Sequence, residues 1–264
     1  MSLSALSRAE LLDFASGFDP SVILDAAGFQ PDEWQRRVLR STAKKQIIVG
    51  GRQTGKSVVG AAAVAQNLLH SPGSLSIVLA PSLKQAGETA RKIAGIIDTV
   101  GAPLDTISRT ALGIELSNGA RSLCVPSSET SVRGYAAPEL LLIDEAAAVD
   151  VEVVRASLPV LAASENGRLL LISSARGRRN WFAEVWFDGG DDWERFEARA
   201  SDCARISRDF LEGERRIMGD RLYEQEYECA FLDDSLELDA RNPRVFNPDL
   251  LRGLVDPSIQ PITI

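Results

Sequence analysis

Gln46-Ile47-Ile48-Val49-Gly50-Gly51-Arg52-Gln53-Thr54-Gly55-Lys56-Ser57 is the stretch whose reading decides the fold. Its first four residues are a short apolar run that suits a buried parallel strand. The next eight match G-x-x-x-x-G-K-[ST], a phosphate-binding P-loop. The glycines let backbone N–H groups turn inward around phosphate oxygens. Lys56 can reach β- and γ-phosphates, and the Ser57 hydroxyl can ligate Mg2+. Residues 56–70 read as an Ala/Val-rich helix whose positive end points at the same anion. A strand before and a helix after are the context such a motif requires; without it, the same letters describe a glycine turn with a surface lysine.

Downstream, Leu140-Leu141-Leu142-Ile143-Asp144-Glu145 reads as a central strand ending in two acids. Asp144 at the tip can hold the Mg2+ shell. Glu145 is placed to polarise a water against a γ-phosphate. Ser76-Ile77-Val78-Leu79-Ala80 forms a further strand between the two motifs. That arrangement is the one found in additional-strand, catalytic-glutamate P-loop ATPases, and it disfavours small kinases and GTPases. Leu169-Leu170-Leu171-Ile172 is another buried run, followed by Ser173 and Ser174. A hydroxyl there can sense a γ-phosphate, although a strand followed by a turn explains the letters equally well.

Between these runs the spacing predicts helices over about 82–100 and 150–161. Strands alternating with helices imply an α/β fold with a mainly parallel central sheet flanked by helices. Residues 112–125 alternate in polarity around Asn118-Gly119, which predicts a hairpin insertion. Two short helices (7–16 and 20–27) and a third opened by Pro31 and running to about Ala43 precede the P-loop. The charged helical stretches 207–219 and 220–230 predict a small C-terminal lid. The expected division is 1–200 for the ATPase core, 201–235 for the lid and 236–264 for an extended tail.

Composition narrows the class. The 264 residues are 45% hydrophobic and 25% charged, which is ordinary for a globular chain. A net charge of −8 excludes a uniformly basic nucleic-acid-binding domain. The charge is uneven: residues 1–110 hold 12 Lys and Arg against 9 Asp and Glu, whereas the remainder holds 17 against 28. Anion chemistry therefore belongs to the first part. Cys124, Cys203 and Cys229 have no zinc or disulfide spacing and read as buried free thiols. His70, the single histidine, sits where a helix ends, the usual place for a cation. No run approaches the ~18 apolar residues of a membrane span, and the acids in residues 1–30 do not suit a secretory signal.

Taken in order, these pieces resemble the ATPase half of a phage terminase large subunit, a motor that packages viral DNA. Gly51-Arg52-Gln53-Thr54-Gly55-Lys56-Ser57 resembles that family's P-loop with its additional arginine. Leu79-Ala80-Pro81-Ser82 followed by Gln85 resembles the motif after its second strand. Val132-Arg133-Gly134 resembles its R-G element, and Ile143-Asp144-Glu145-Ala146-Ala147 its second Walker motif. Ser173-Ser174 falls where its coupling motif lies. Phe29-Gln30 and Trp34-Gln35 are similar to the glutamine motif that reads adenine. The resemblance covers roughly residues 20–250. It implies a RecA-like core, ATP and Mg2+ as ligands, and double-stranded DNA as substrate. It further implies self-association into a ring on a portal, with the portal protein and small terminase subunit as partners, in the cytoplasm of an infected bacterial host. Arg133 would then be a finger entering a neighbouring subunit's site, unless it is a loop arginine bonding locally. Arg52 would touch a phosphate in cis, or be a surface charge.

The third motif departs from the family's usual Ser-Thr-Pro, reading Ser173-Ser174-Ala175-Arg176. Arg244-Val245-Phe246-Asn247-Pro248 resembles the linker leading to a nuclease domain, and the expectation is that no nuclease follows. A helicase-like ATPase would need a second motor domain, for which this length leaves no room. A nucleotide-dependent switch without turnover is the rival from another class, and Glu145 argues against it. Arg176, Arg178 and Arg179 form the most basic short run. They suit DNA phosphates or, as well, a solvated loop before an amphipathic helix. Trp181, Phe182, Val185 and Trp186 have the helical spacing of a core face.

Overall fold

The computed structural model describes residues 7–101, 104–127, 134–135 and 137–232. The apolar runs become the middle of one eight-stranded sheet. In chain order its strands are β1 (Lys45–Gly50), β2 (Leu75–Ala80), β3 (Thr106–Thr110), β4 (Gly113–Leu116), β5 (Arg121–Pro126), β6 (Leu140–Asp144), β7 (Arg168–Ser173) and β8 (Glu194–Ala198). They lie in the order β3-β4-β5-β2-β6-β7-β1-β8. All neighbours from β5 to β8 pair in parallel, and β4 alone runs against the rest.

Strict alternation splits the central strands between two cores. Ile48, Val78, Leu140, Leu142, Leu170 and Ile172 face one side. There they meet α2 (Val22–Ala26), α3 (Glu33–Arg40), α4 (Lys56–His70) and α5 (Leu83–Val100). Ile47, Val49, Ile77, Leu79, Leu141, Ile143 and Leu171 face the other, under α6 (Val151–Ser157) and α7 (Trp181–Asp188). Each fully buried Ile or Leu contributes about 1.5–3 kcal/mol, so these runs hold the sheet's strand tips in fixed relative positions. α1 (Arg8–Phe18) precedes this layer, and α8 (Arg208–Met218) and α9 (Asp220–Tyr227) form a separate aromatic cluster around Leu211, Tyr223 and Tyr227. All described residues fall in a unit that ends at Leu232, so the expected tail at 236–264 lies outside them.

Several expectations are refined. The Asn118-Gly119 hairpin forms, with Gly113 opposite Leu123, but it is not an insertion. Its second strand pairs in parallel with β2 and extends the main sheet. The third helix begins at Glu33 instead of Pro31, because Asp32 and Gln35 cap each other's backbone N–H groups. It stops at Arg40, where Ser41 turns extended toward β1. His70 is the last residue of α4; burial lowers its pKa against the charge of Asp13, and its ring shares a 2.8 Å hydrogen bond with Ser16. The three cysteines are free and buried, and burial pushes the thiols of Cys124 and Cys229 up to about 12. Phe182 is fully buried and the Trp181 indole donates to the Val149 carbonyl at 2.9 Å, so the aromatic face is core.

Candidate active site

Ligands of open α/β sheets bind outside the carboxyl ends of the strands. Here the tips of β1, β7 and β6 are adjacent and carry Gly50, Ser173 and Asp144. The strand between the P-loop strand and the acid strand is thus β7, and not the expected run at 76–80, which as part of β2 lies on the far side of β6.

From Gly50 the chain turns over the end of the sheet. The Gly51 N–H donates to the Ala198 carbonyl at 2.8 Å, and the Arg52 N–H donates to the Glu226 carbonyl at 2.7 Å. Gly51 has no room for a side chain, since a Cβ would strike the Tyr227 carbonyl. Gly55, with φ of +90°, caps α4 in a conformation that costs other residues. Gln53 adopts a left-handed conformation without being glycine. The turn's outer side is held at the Thr54 carbonyl, which accepts from Gln35 Nε2 at 3.4 Å and from Arg205, itself paired with Asp32. Its inner side holds Lys56, only 8% exposed, whose ammonium donates to the Gly51 carbonyl at 2.7 Å. Burial lowers the Lys56 pKa, and the charge of Glu145 opposes that shift.

Asp144 faces this turn. Ser57 Oγ lies 3.5 Å from its Oδ1, and Thr89 Oγ1 of α5 donates to its Oδ2 at 3.0 Å. The Glu145 N–H also donates to Oδ1, at 3.1 Å. Asp144 is 5% exposed, and burial raises its pKa against the Thr89 hydrogen bond. Glu145 is left-handed, with φ of +51°. A strained non-glycine residue points to function more often than to packing, and both Gln53 and Glu145 line the same cleft. Burial raises the Glu145 pKa, and Lys56 is the main opposing charge. Buried Ser173 Oγ accepts from the Ala147 N–H at 3.2 Å, fixing the chain just after Glu145.

The cleft has a volume of about 720 Å³. Of the residues singled out in the sequence, Arg52, Gln53, Gly55, Lys56, Ser57, Gln85, Glu145, Ser174 and Arg176 line it, and Asp144 meets it through the Ser57 hydroxyl instead of lining it. Arg52 also binds Glu226 Oε2 of α9 through its Nε at 2.6 Å. Gln30 and Trp34 are not among the lining residues; Gln30 is exposed and Trp34 packs on the core. Gln35 is buried and reaches the site through Thr54. Arg178 stacks over the Phe187 ring at 4.6 Å and Arg179 is exposed. Arg133 lies outside the described residues.

Sequence reading missed Thr89, Lys92, Arg205, Phe210, Glu226 and Tyr227. Each reaches the site through long-range packing, with no local motif to mark it. The donor set suits Mg2+. A hydroxyl and a carboxylate are hard oxygen ligands, and Mg2+ is usually held by one or two carboxylates together with substrate phosphates. Among the described residues, no group of three His, Cys, Asp or Glu side chains forms a metal cage. The bare turn, with its glycine backbone and inward lysine, fits phosphate oxygens.

Residues 47–238 match the family described as terminase large subunit, T4likevirus-type, N-terminal. The terminase large subunit of Thermus virus P23-45 is 25% identical over 243 residues, covering 79% of this chain and 50% of that protein. The chain thus spans about half the length of such curated relatives. The large terminase ATPase domain of Thermus phage P74-26 superposes with a TM-score of 0.67 at 24% identity, over 79% of this chain and 97% of that one. The large terminase of another thermophilic bacteriophage, solved in complex with ADP, gives 0.63 at 13% identity, over 80% and 52%. These superpositions share the fold of the parallel sheet and its helices. The family match runs unbroken through the phosphate-type turn, the Asp144–Glu145 tip and the helices beside the cleft, and the chain belongs to the terminase large subunit family of the T4likevirus type.

Proposed function

We propose that this chain hydrolyses ATP with Mg2+ and, in its assembled state, uses that hydrolysis to translocate double-stranded DNA into a procapsid. The observation that carries this reading is a cleft lined by Lys56, Ser57 and Glu145, with the Asp144 carboxylate 3.5 Å from the Ser57 hydroxyl. Family membership supports it, as does the ADP in the complex of the thermophilic bacteriophage terminase.

Each residue has a chemical task in this reading. Backbone N–H groups of the 51–57 turn bind β- and γ-phosphate oxygens, and Lys56 leaves the Gly51 carbonyl to join them. Ser57 and Asp144 hold Mg2+, and Thr89 fixes the Asp144 carboxylate that does so. The metal, when bound, neutralises charge on the phosphate oxygens. Glu145 takes a proton from the attacking water as the new oxygen–phosphorus bond forms and the bridging bond to ADP breaks. Its side chain lines the cleft beside Lys56, where such a water would sit. Ser173 holds the chain after Glu145, and Ser174 lines the cleft. Helices α8 and α9 act as the lid. Arg52 exchanges Glu226 for a phosphate when nucleotide enters, and Arg133 acts in trans as the family resemblance implies. A ring on a portal, in the cytoplasm of an infected bacterium, is the setting in which such a finger works. Portal protein and small terminase subunit are its partners there.

Steady-state phosphate release, measured with Mg2+ and with or without linear double-stranded DNA, tests the proposal. ATP-dependent release that rises with protein concentration and with DNA is expected. A chain that binds ATP yet releases no phosphate at any concentration, with or without DNA, is a switch, and the motor reading then fails.

A further inference from the structure

Three arginines lie within four residues after β7, and the structure separates them. All three are exposed; Arg178 lies over the Phe187 ring and Arg179 does not line the cleft. Arg176 alone lines the cleft. Its guanidinium has no hydrogen bond or ion pair with any described residue, although a neighbouring carboxylate, Glu145, feels its charge.

Its position follows from sheet order. β7 lies between β1, which carries the phosphate-type turn, and β6, which carries Glu145. Residues leaving its tip therefore start between the strand that leads into the turn and the strand that leads into Glu145. The turn bearing Arg176 is clamped from both sides. The Asn180 side chain donates to the Arg176 and Gly177 carbonyls while capping α7. The Gly177 N–H donates to Gln225 Oε1 of α9 at 3.2 Å. Of the other cleft cations, Arg52 is paired with Glu226. Lys92 stands on the metal side, where Asp144 feels its charge. Arg176 is the cleft cation beside Glu145 that has no partner among the described residues. A guanidinium fork suits phosphate geometry better than an ammonium does.

We infer that Arg176 binds the terminal phosphate of a nucleoside triphosphate in cis and lets the cleft distinguish triphosphate from diphosphate. The inference rests on the nucleotide site proposed above. It withdraws Arg176 from the basic run read as a DNA contact.

Equilibrium binding of ADP and of a non-hydrolysable ATP analogue, with Mg2+, to the full chain and its variants tests this. Arg176→Ala should lose about 10- to 100-fold of the preference for the triphosphate, the range of a charge-assisted hydrogen bond to an anion. Its ADP affinity should stay within about threefold, since the diphosphate never meets this group. Arg176→Lys should recover part of the preference. Arg109→Ala, which breaks a surface pair with Asp98 at the far sheet edge, should change neither affinity. The inference is overturned if Arg176→Ala keeps the wild-type preference, weakens both nucleotides equally, or weakens DNA binding alone. Lys56→Ala separates the two levels. If it binds both nucleotides as wild type does, the nucleotide site itself is wrong; a Lys56-dependent site indifferent to Arg176 overturns only this inference.

Discussion

Glu145→Gln should leave the nucleotide bound and bring hydrolysis nearly to a halt. The substitution keeps the shape of the side chain and removes its basicity. A positioned general base contributes about 10²- to 10⁴-fold, so single-turnover phosphate release should slow by that factor. Binding should hold or tighten, because the neutral amide no longer repels the triphosphate as a carboxylate does. The left-handed backbone at this position tolerates Gln as it tolerates Glu, because neither is β-branched. Unchanged melting with lost turnover is the signature to look for. A variant that hydrolyses within about threefold of wild type would mean that another group takes the proton.

Lys56→Ala should act at the earlier step. The ammonium is buried, and among the described residues its hydrogen-bond partner is the Gly51 carbonyl. Burial already pulls its pKa down, so its charge is held there at a cost. The compensation comes when phosphate arrives. Loss of charge-assisted hydrogen bonds to two phosphates, each worth about 1.5–3 kcal/mol, should weaken ATP binding by at least ~100-fold. Hydrolysis should fall below detection. Stability should move little, with melting within about 4 °C of wild type, because the variant loses packed methylenes but also a buried cation. Wild-type hydrolysis in this variant would remove the phosphate-binding role from the 50–57 turn.

What the sequence made legible follows from how forces are distributed along the chain. Strands buried on both faces must be continuously apolar, so β1, β2, β6 and β7 announce themselves. The polar residues at the tip of β6 and in the glycine-rich turn after β1 break those runs, which is why Asp144, Glu145 and Lys56 could be named. The outermost strands, β3 and β8, gave no such signal. Every residue of Thr106–Thr110 is exposed, and in Glu194–Ala198 only Phe196 and Ala198 are buried. Pairing along one edge needs backbone hydrogen bonds more than apolar side chains. The hairpin was legible as a local turn, but its parallel partner β2 is 46 residues away at Leu75 and Arg121 and leaves no trace in local spacing.

The site shows the same division. Motif residues were readable, whereas Thr89, Arg205 and Glu226 act through contacts across 55, 151 and 174 residues of chain. Arg176 lay within a basic run that suggested a single task for three arginines. Only the cleft and the Phe187 ring separate them. Gln35 was identified through its resemblance to an adenine-reading motif, and its contact is with the Thr54 carbonyl behind the phosphate-type turn.

A crystal structure of the full chain with Mg2+ and a non-hydrolysable ATP analogue is the most direct measurement. The triphosphate should lie in the 50–57 turn, with Lys56 drawn off the Gly51 carbonyl onto phosphate, the metal between Ser57 and Asp144, and Glu145 beside the terminal phosphate. Nucleotide bound elsewhere, or bound there with Lys56 still on Gly51 and Glu145 turned away, would contradict the assignment of this cleft as the hydrolytic site.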